Sequence, residues 1–386
     1  MALTSHKVIF VHGIFGWGEG ELPFSYWGDA LAQFEGSRFQ AHEVKCGPIS
    51  SFHDRACEIF AQIRGGDFHY AAPGAGIAAD GKQAVVPRSR RHVPPPLLPD
   101  WSASNPVILV GHSAGAHTCL ALQRLLAEDF FGVGSNADWI EAVISISGVL
   151  NGSTLTYMFG CDPATGQLGP NSKLLIDGAL ALVRAVSGGP LPELWLEQWP
   201  DDVARAAFVS GRDNLACDLT LSGCHAANAE FSSNPNTYYL SLVTRMPDKL
   251  KVLSFDLPVR YIGINPLLHA SAIYQADRDD FAADARPFDH WGTTSRLQID
   301  TWRENDGAVS AISQEFPFTD HQEPLGGEGF LSRATIEKGK WYFEYVDKFL
   351  EKDFDHLDPA FGAKLPGARA AQQQLYQKLV KRLETI

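Results

Sequence analysis

The stretch PVILVGHSAGAHT, residues 106–118, decides how the rest of the chain is read. An apolar run from Pro106 to Val110 meets Gly111, then Ser113 sits between His112 and Ala114, and Gly115 comes directly after. A short continuous apolar run ending in glycine fits a strand buried on both faces. The next segment, AHTCLALQRLLAEDFF at 116–131, carries its apolar residues at helical spacing. A serine among small residues at such a junction has two readings. One is an ordinary strand-to-helix turn. The other is a tight, strained turn that lifts the Ser113 hydroxyl clear of the sheet, with Gly111 and Gly115 keeping side chains out of the crossing. The strand before and the helix after favour the second.

Working outward, KVIFVHG (7–13) and WIEAVISISG (139–148) repeat the pattern of a doubly covered strand, and TYYLSLVTR (237–245) is a further candidate. Non-alternating apolar strands linked through helices imply an α/β fold with a mainly parallel central sheet and helices on both faces. WYFEYVDKFL (341–350) fits strand or helix equally, and ARAAQQQLYQKLVKRL (368–383) places Leu375, Leu379 and Leu383 at helical spacing. The whole chain, 1–386, reads as one domain with two excursions. Residues 66–105 form an extra loop region, rich in Gly, Ala and Pro from 71 onward. Residues 150–235 form the second, with the apolar helix-prone stretch SKLLIDGALALVRAVSGG at 172–189. That stretch is either a core helix or part of a mobile lid whose inner face is apolar.

Of 386 residues, 45% are hydrophobic and 20% charged, and 45 Asp+Glu against 32 Lys+Arg leave a net charge of -13. This argues against a nucleic-acid partner held by a basic surface. No apolar run is long enough to span a bilayer, and MALTSHKVIFVHG is not a secretory leader. The expectation is a cytoplasmic protein unless the numbering starts at a mature secreted end. Six scattered cysteines read as buried thiols, with a Cys217–Cys224 disulfide as the lesser alternative.

A serine becomes a nucleophile only with a histidine base and an acid that orients it, in the chain order Ser, Asp/Glu, His for this kind of turn. WRENDGAVS (302–310) offers Asp306 and KDFDHLDPAFG (352–362) offers His356. The bland alternatives are a turn-capping Asp in an N-D-G sequence and a solvated loop histidine. Neighbouring Asp355 does not replace Asp306, because adjacent residues rarely orient each other's side chains. An oxyanion needs two amides. Ala114, after the serine, gives one, and VHGIFGWG (11–18) offers Ile14 for the other. That glycine-rich loop lacks a P-loop lysine and a dinucleotide fingerprint, so phosphate binding ranks below.

VHGIFGWG, SYWGD, KCGPISSFHDRACE, GHSAG, ISGVLNGSTL, SNPNTYYLS, WRENDGAVS and FDHLDPAFG succeed one another along the chain. In their order and rough spacing the chain resembles the staphylococcal and thermophilic-bacillus lipases over about residues 7–365. The resemblance implies an α/β-hydrolase with a helical lid, acting on carboxylic esters, chiefly acylglycerols, through an acyl-enzyme. By position it makes Ser113 the nucleophile, Asp306 the acid and His356 the base, with Ile14 and Ala114 as oxyanion donors. It also implies a zinc held by two Asp and two His. Asp54 and Asp218 match the acids, but the segment for the histidines keeps only His92, with His53 and His69 nearby. The family's calcium region keeps Asp358 but loses the Asp-Pro pair that should come after it. The chemistry itself requires no cofactor.

Competing readings are a short-chain carboxylesterase or polyester hydrolase, a phospholipase, and a non-catalytic hydrolase-fold protein binding a ligand. The expected partner is a small-molecule or lipid ester, with transient contact at a lipid interface and no nucleic acid.

Overall fold

The computed structural model describes residues 7–22, 24–66, 70, 95–162, 213–246, 249–252, 255–258, 268–278, 299–319, 323–350, 354–361 and 368–386. The apolar stretch 172–189, and with it most of the expected lid, lies outside the described residues, as does most of the extra loop region.

Seven strands form one sheet: β1 (Lys7–Val11), β2 (Gln40–Val44), β3 (Val107–His112), β4 (Ile140–Ile146), β5 (Tyr238–Val243), β8 (Leu325–Glu328) and β9 (Trp341–Tyr345). Their order is β2-β1-β3-β4-β5-β9-β8, and every pairing is parallel. A separate antiparallel pair joins β6 (Lys249–Val252) to β7 (Phe255–Pro258). The four central strands are the ones whose sequences run apolar without alternation, and β3, β4 and β5 are buried along their whole length. Such strands need cover on both faces.

The cover divides by residue parity, because successive strand side chains point to opposite faces. Ile9, Val11, Leu109 and Val143 pack with α1 (Phe52–Arg64) and α2 (Ala114–Ala127). Val8, Phe10, Ile108, Val110 and Ile144 pack with the carboxyl-terminal helix Ala368–Leu383 through Leu375, Tyr376, Leu379 and Leu383. Trp27 meets the Phe10 ring edge-on at 4.9 Å between centroids, which fills the space beneath β1. The sequence WYFEYVDKFL proves to be both things it fits: strand to Tyr345, then helix from Val346 to Leu350.

Parallel strands send all their carboxyl ends to one edge of the sheet, which is where open α/β sheets place their sites. Here that edge gathers His12 after β1, Ser113 after β3, Ser147 after β4 and Thr244 after β5. All six cysteines are buried and unbridged, so the Cys217–Cys224 alternative is set aside.

Candidate active site

Ser113 has φ 57° and ψ -127°, a left-handed conformation that a residue with a Cβ adopts only under constraint. The constraint is the strand–helix crossing. A Cβ on Gly111 would sit 2.4 Å from the Ala116 amide, and one on Gly115 would sit 2.1 Å from the Val11 carbonyl. Both glycines are therefore steric requirements of the turn. The Ser113 amide donates to the Ile146 carbonyl at 3.1 Å, tying the turn to β4. Ala114 is the first residue of α2, and a first-turn amide has no acceptor within its own helix. Gly13 lies against the serine: a Cβ there would be 3.1 Å from Ser113 Oγ. Ile14, next in line, packs with Ala114, Phe52 and Val149 in a small apolar cluster beside the turn.

Asp306 and His356 meet. His356 Nδ1 is 2.9 Å from Asp306 Oδ2, and the His356 amide donates to the Asp306 carbonyl at 2.9 Å. Asp306 is fully buried, so each carboxylate oxygen needs donors. Oδ1 accepts from the amides of Ala308 at 3.0 Å and Val309 at 2.8 Å. Oδ2 accepts from Thr244 Oγ1 at 2.6 Å and Gln314 Nε2 at 3.1 Å, besides His356. Asp306 thus closes its turn through one oxygen and faces the His356 ring through the other. A ring nitrogen facing a carboxylate carries the proton, which leaves Nε2 as the basic atom in the neutral ring. Asp355 is occupied otherwise: its Oδ1 accepts the amides of Leu357 at 2.8 Å and Asp358 at 3.1 Å.

His356 is brought next to the serine's own strand. His112 Nε2 lies 2.8 Å from the His356 carbonyl, and the two rings are 4.8 Å apart between centroids. On the other side, the loop after β1 is held by Arg55. Its guanidinium donates to the carbonyls of His12 and Gly47, the latter at 2.7 Å, and to Thr118 Oγ1 at 3.0 Å. Arg55 therefore spends its donors on two loop carbonyls and a helix hydroxyl. His12 Nδ1 donates to the Gly13 carbonyl at 2.8 Å, and Nε2 accepts from the Cys46 amide at 3.3 Å. Burial, with Arg55 adding to it, lowers the His12 pKa to about 3, so this imidazole is neutral.

Three of the expected metal ligands make hydrogen bonds to the backbone. Asp218 Oδ2 accepts the Phe52 amide at 2.7 Å, capping the amino end of α1. His53 Nε2 faces the Tyr70 carbonyl at 2.8 Å. Asp358 Oδ2 accepts the Asp355 amide at 3.1 Å, closing a short turn. His92 and His69 lie outside the described residues. Among the described residues, no group of three His, Cys, Asp or Glu converges in a way that could hold a metal.

The contacts made by Tyr26, Thr244, Gln314 and Arg55 were not foreseen by sequence reasoning. Tyr26 and Arg55 lie inside the SYWGD and HDRACE motifs, and Thr244 ends the apolar run of β5, so each had a faint signal; Gln314 had none.

Residues 4–133 match the family model described as lipase-like, C-terminal domain. Lipase 2 of Staphylococcus aureus is 24% identical over 396 residues, covering 91% of this chain and 51% of the relative. The crystal structure of Staphylococcus hyicus lipase superposes with a TM-score of 0.74 at 18% identity, over 99% of this chain and 96% of that one. The chain is similar to the staphylococcal lipases. EstA from Clostridium botulinum has the same fold, with a TM-score of 0.73 at 20% identity over 100% of this chain and 88% of the other. The parallel sheet and these structural likenesses give the chain the α/β-hydrolase fold, and it spans about half the length of the curated relatives it matches. Among its described residues, no helix is long and apolar enough to cross a membrane.

Proposed function

We propose that the chain is a serine hydrolase of carboxylic esters, with acylglycerols as the substrate class. The observation that carries this is the 2.9 Å Asp306–His356 pair delivered to the edge where Ser113 occupies its strained turn. His356 Nε2 takes the Ser113 proton as Oγ bonds to the ester carbonyl carbon, and the carbonyl electron pair moves onto oxygen. The Ile14 and Ala114 amides stabilise that oxyanion, each donor contributing about 3 kcal/mol in the transition state. Collapse breaks the carbon–alkoxy bond, and His356 returns the proton to the departing alcohol. Water then repeats the sequence on the acyl-enzyme. Asp306 holds the ring tautomer and stabilises the imidazolium. The acylglycerol assignment and contact with a lipid interface are supported by relatives named as lipases.

Ser113→Ala tests the reading. It should abolish turnover of p-nitrophenyl esters while the melting temperature stays within a few degrees of wild type; wild-type turnover in that variant would end the proposal. A series from acetate to palmitate separates the lipase from a short-chain esterase. Preference for long chains, with a rate jump above the solubility limit, marks the lipase.

A further inference from the structure

We infer that Tyr26 and His112 are positioning residues that bridge the oxyanion loop to the loop carrying His356, fixing the two halves of the site against each other. The inference rests on the ester-hydrolase reading and deepens it.

Three hydrogen bonds form the bridge. The Gly13 amide donates to Tyr26 Oη at 3.0 Å. Tyr26 Oη and His112 Nδ1 are 2.7 Å apart. His112 Nε2 and the His356 carbonyl are 2.8 Å apart. Both ends of this chain fix its protons. A carbonyl only accepts, so His112 carries its hydrogen on Nε2. An amide only donates, so the Tyr26 oxygen accepts there and its own hydrogen goes to the bare Nδ1 of a neutral imidazole. One arrangement satisfies every group, and it runs in a single direction from Gly13 to His356.

Burial keeps water from substituting for the links: Tyr26 is 2% and His112 1% exposed. Burial also holds the His112 pKa well below its ordinary value, with nearby His356 adding to the effect. The neutral ring required by the hydrogen bonds is thus the ring the site favours. The bridge joins segments separated by 13, 86 and 244 residues, which no local element would hold in register. Its central residue immediately precedes Ser113. With Asp306 holding the His356 amide and Nδ1, and His112 holding its carbonyl, His356 is anchored at three points. Nε2 is the atom left to work on the serine.

A positioning role and a purely structural one diverge under conservative replacement. Glutamine at 112 places an amide near Nε2 and can still donate to the His356 carbonyl; asparagine places it near Nδ1 and cannot. The test is steady-state turnover of p-nitrophenyl butyrate by the full chain, normalised to active sites titrated with a fluorophosphonate. Tyr26→Phe should lower kcat about tenfold and His112→Asn about a hundredfold, with KM changed less than twofold in each, as expected for misplacement near 1 Å. His112→Gln should keep at least about ten times the kcat of His112→Asn. Wild-type kcat per titrated site in Tyr26→Phe, or equal kcat for the Gln and Asn variants, would overturn the bridge. Turnover surviving in Ser113→Ala would sink the hydrolase reading instead, so the two failures are distinguishable.

Discussion

Asp306 and His356, 50 residues apart in sequence, are joined twice: side chain to side chain at 2.9 Å and backbone to backbone at 2.9 Å. The second bond fixes where the histidine sits, and the first fixes how its ring is turned. A carboxylate holding one ring nitrogen in the protonated form leaves the other basic, which is the form a serine needs beside it.

Asp306→Asn should therefore cut kcat by about a thousandfold or more, by disturbing the tautomer. It should also destabilise the fold by about 1–3 kcal/mol, because the new amide hydrogens face donors wherever the group is turned. Turnover of a soluble ester together with urea unfolding checks both effects. A loss of stability without a loss of kcat would separate Asp306 from the chemistry.

Gln314 clamps the acid from behind. It accepts the Thr244 amide at 2.8 Å and donates to the Thr244 carbonyl at 3.0 Å and to Asp306 Oδ2 at 3.1 Å, all fully buried. Gln314→Leu removes these bonds from the buried Thr244 amide and carbonyl and one of the donors to Asp306 Oδ2, and should cost about 2–4 kcal/mol in chemical unfolding. Its effect on kcat should be smaller than that of Asp306→Asn, since Thr244 and His356 still engage the carboxylate.

Arg55→Lys should be far from conservative. A single ammonium cannot reach the His12 and Gly47 carbonyls and the Thr118 hydroxyl in the geometry of a guanidinium fork. We expect about a tenfold fall in kcat through the loop carrying Ile14, and a melting temperature lower by several degrees. Differential scanning calorimetry beside ester kinetics reads both.

Acid should unfold this protein through its buried imidazoles. Burial holds His12 at about 3 and His117 at about 4, and drives His112 well below its ordinary value of 6.5. Folded-state values below the unfolded one mean that the unfolded chain binds more protons. Stability is then complete above about pH 6.5 and falls as pH drops toward 3, by about 1.4 kcal/mol per pH unit for each titrating histidine. Unfolding free energy measured from pH 7 to 4 checks the sign. His117→Asn should flatten the slope by about one proton between pH 6.5 and 4, because an amide does not titrate there.

The central strands were legible because strands covered on both faces must be apolar at every position. Edge strands carry no such requirement. β2 reads QAHEV and is mostly half-exposed, and β8 reads LGGE, so neither stood out as an apolar run. Helix α1 was hidden for the opposite reason. Asp54, Arg55 and Glu58 are buried polar residues on it, and they break the apolar pattern that marks a covered helix. Within the site, Ser113 was legible from its local steric needs, and Asp306 and His356 from their order and loop context. Tyr26, Thr244 and Gln314 act through tertiary contacts such as Tyr26–His112, Thr244–Asp306 and Gln314–Thr244, 86, 62 and 70 residues apart, and no local pattern encodes those. His112, the residue before the serine, touches both Tyr26 and the His356 loop.

The nucleophilic role of Ser113 is the claim on which the rest depends, and covalent trapping measures it directly. Wild-type protein treated with a fluorophosphonate should gain one phosphonyl adduct, mapped by peptide mass spectrometry to the segment containing Ser113, with ester turnover lost in proportion to labelling. An adduct elsewhere, or full turnover in protein labelled to completion at Ser113, would contradict the account.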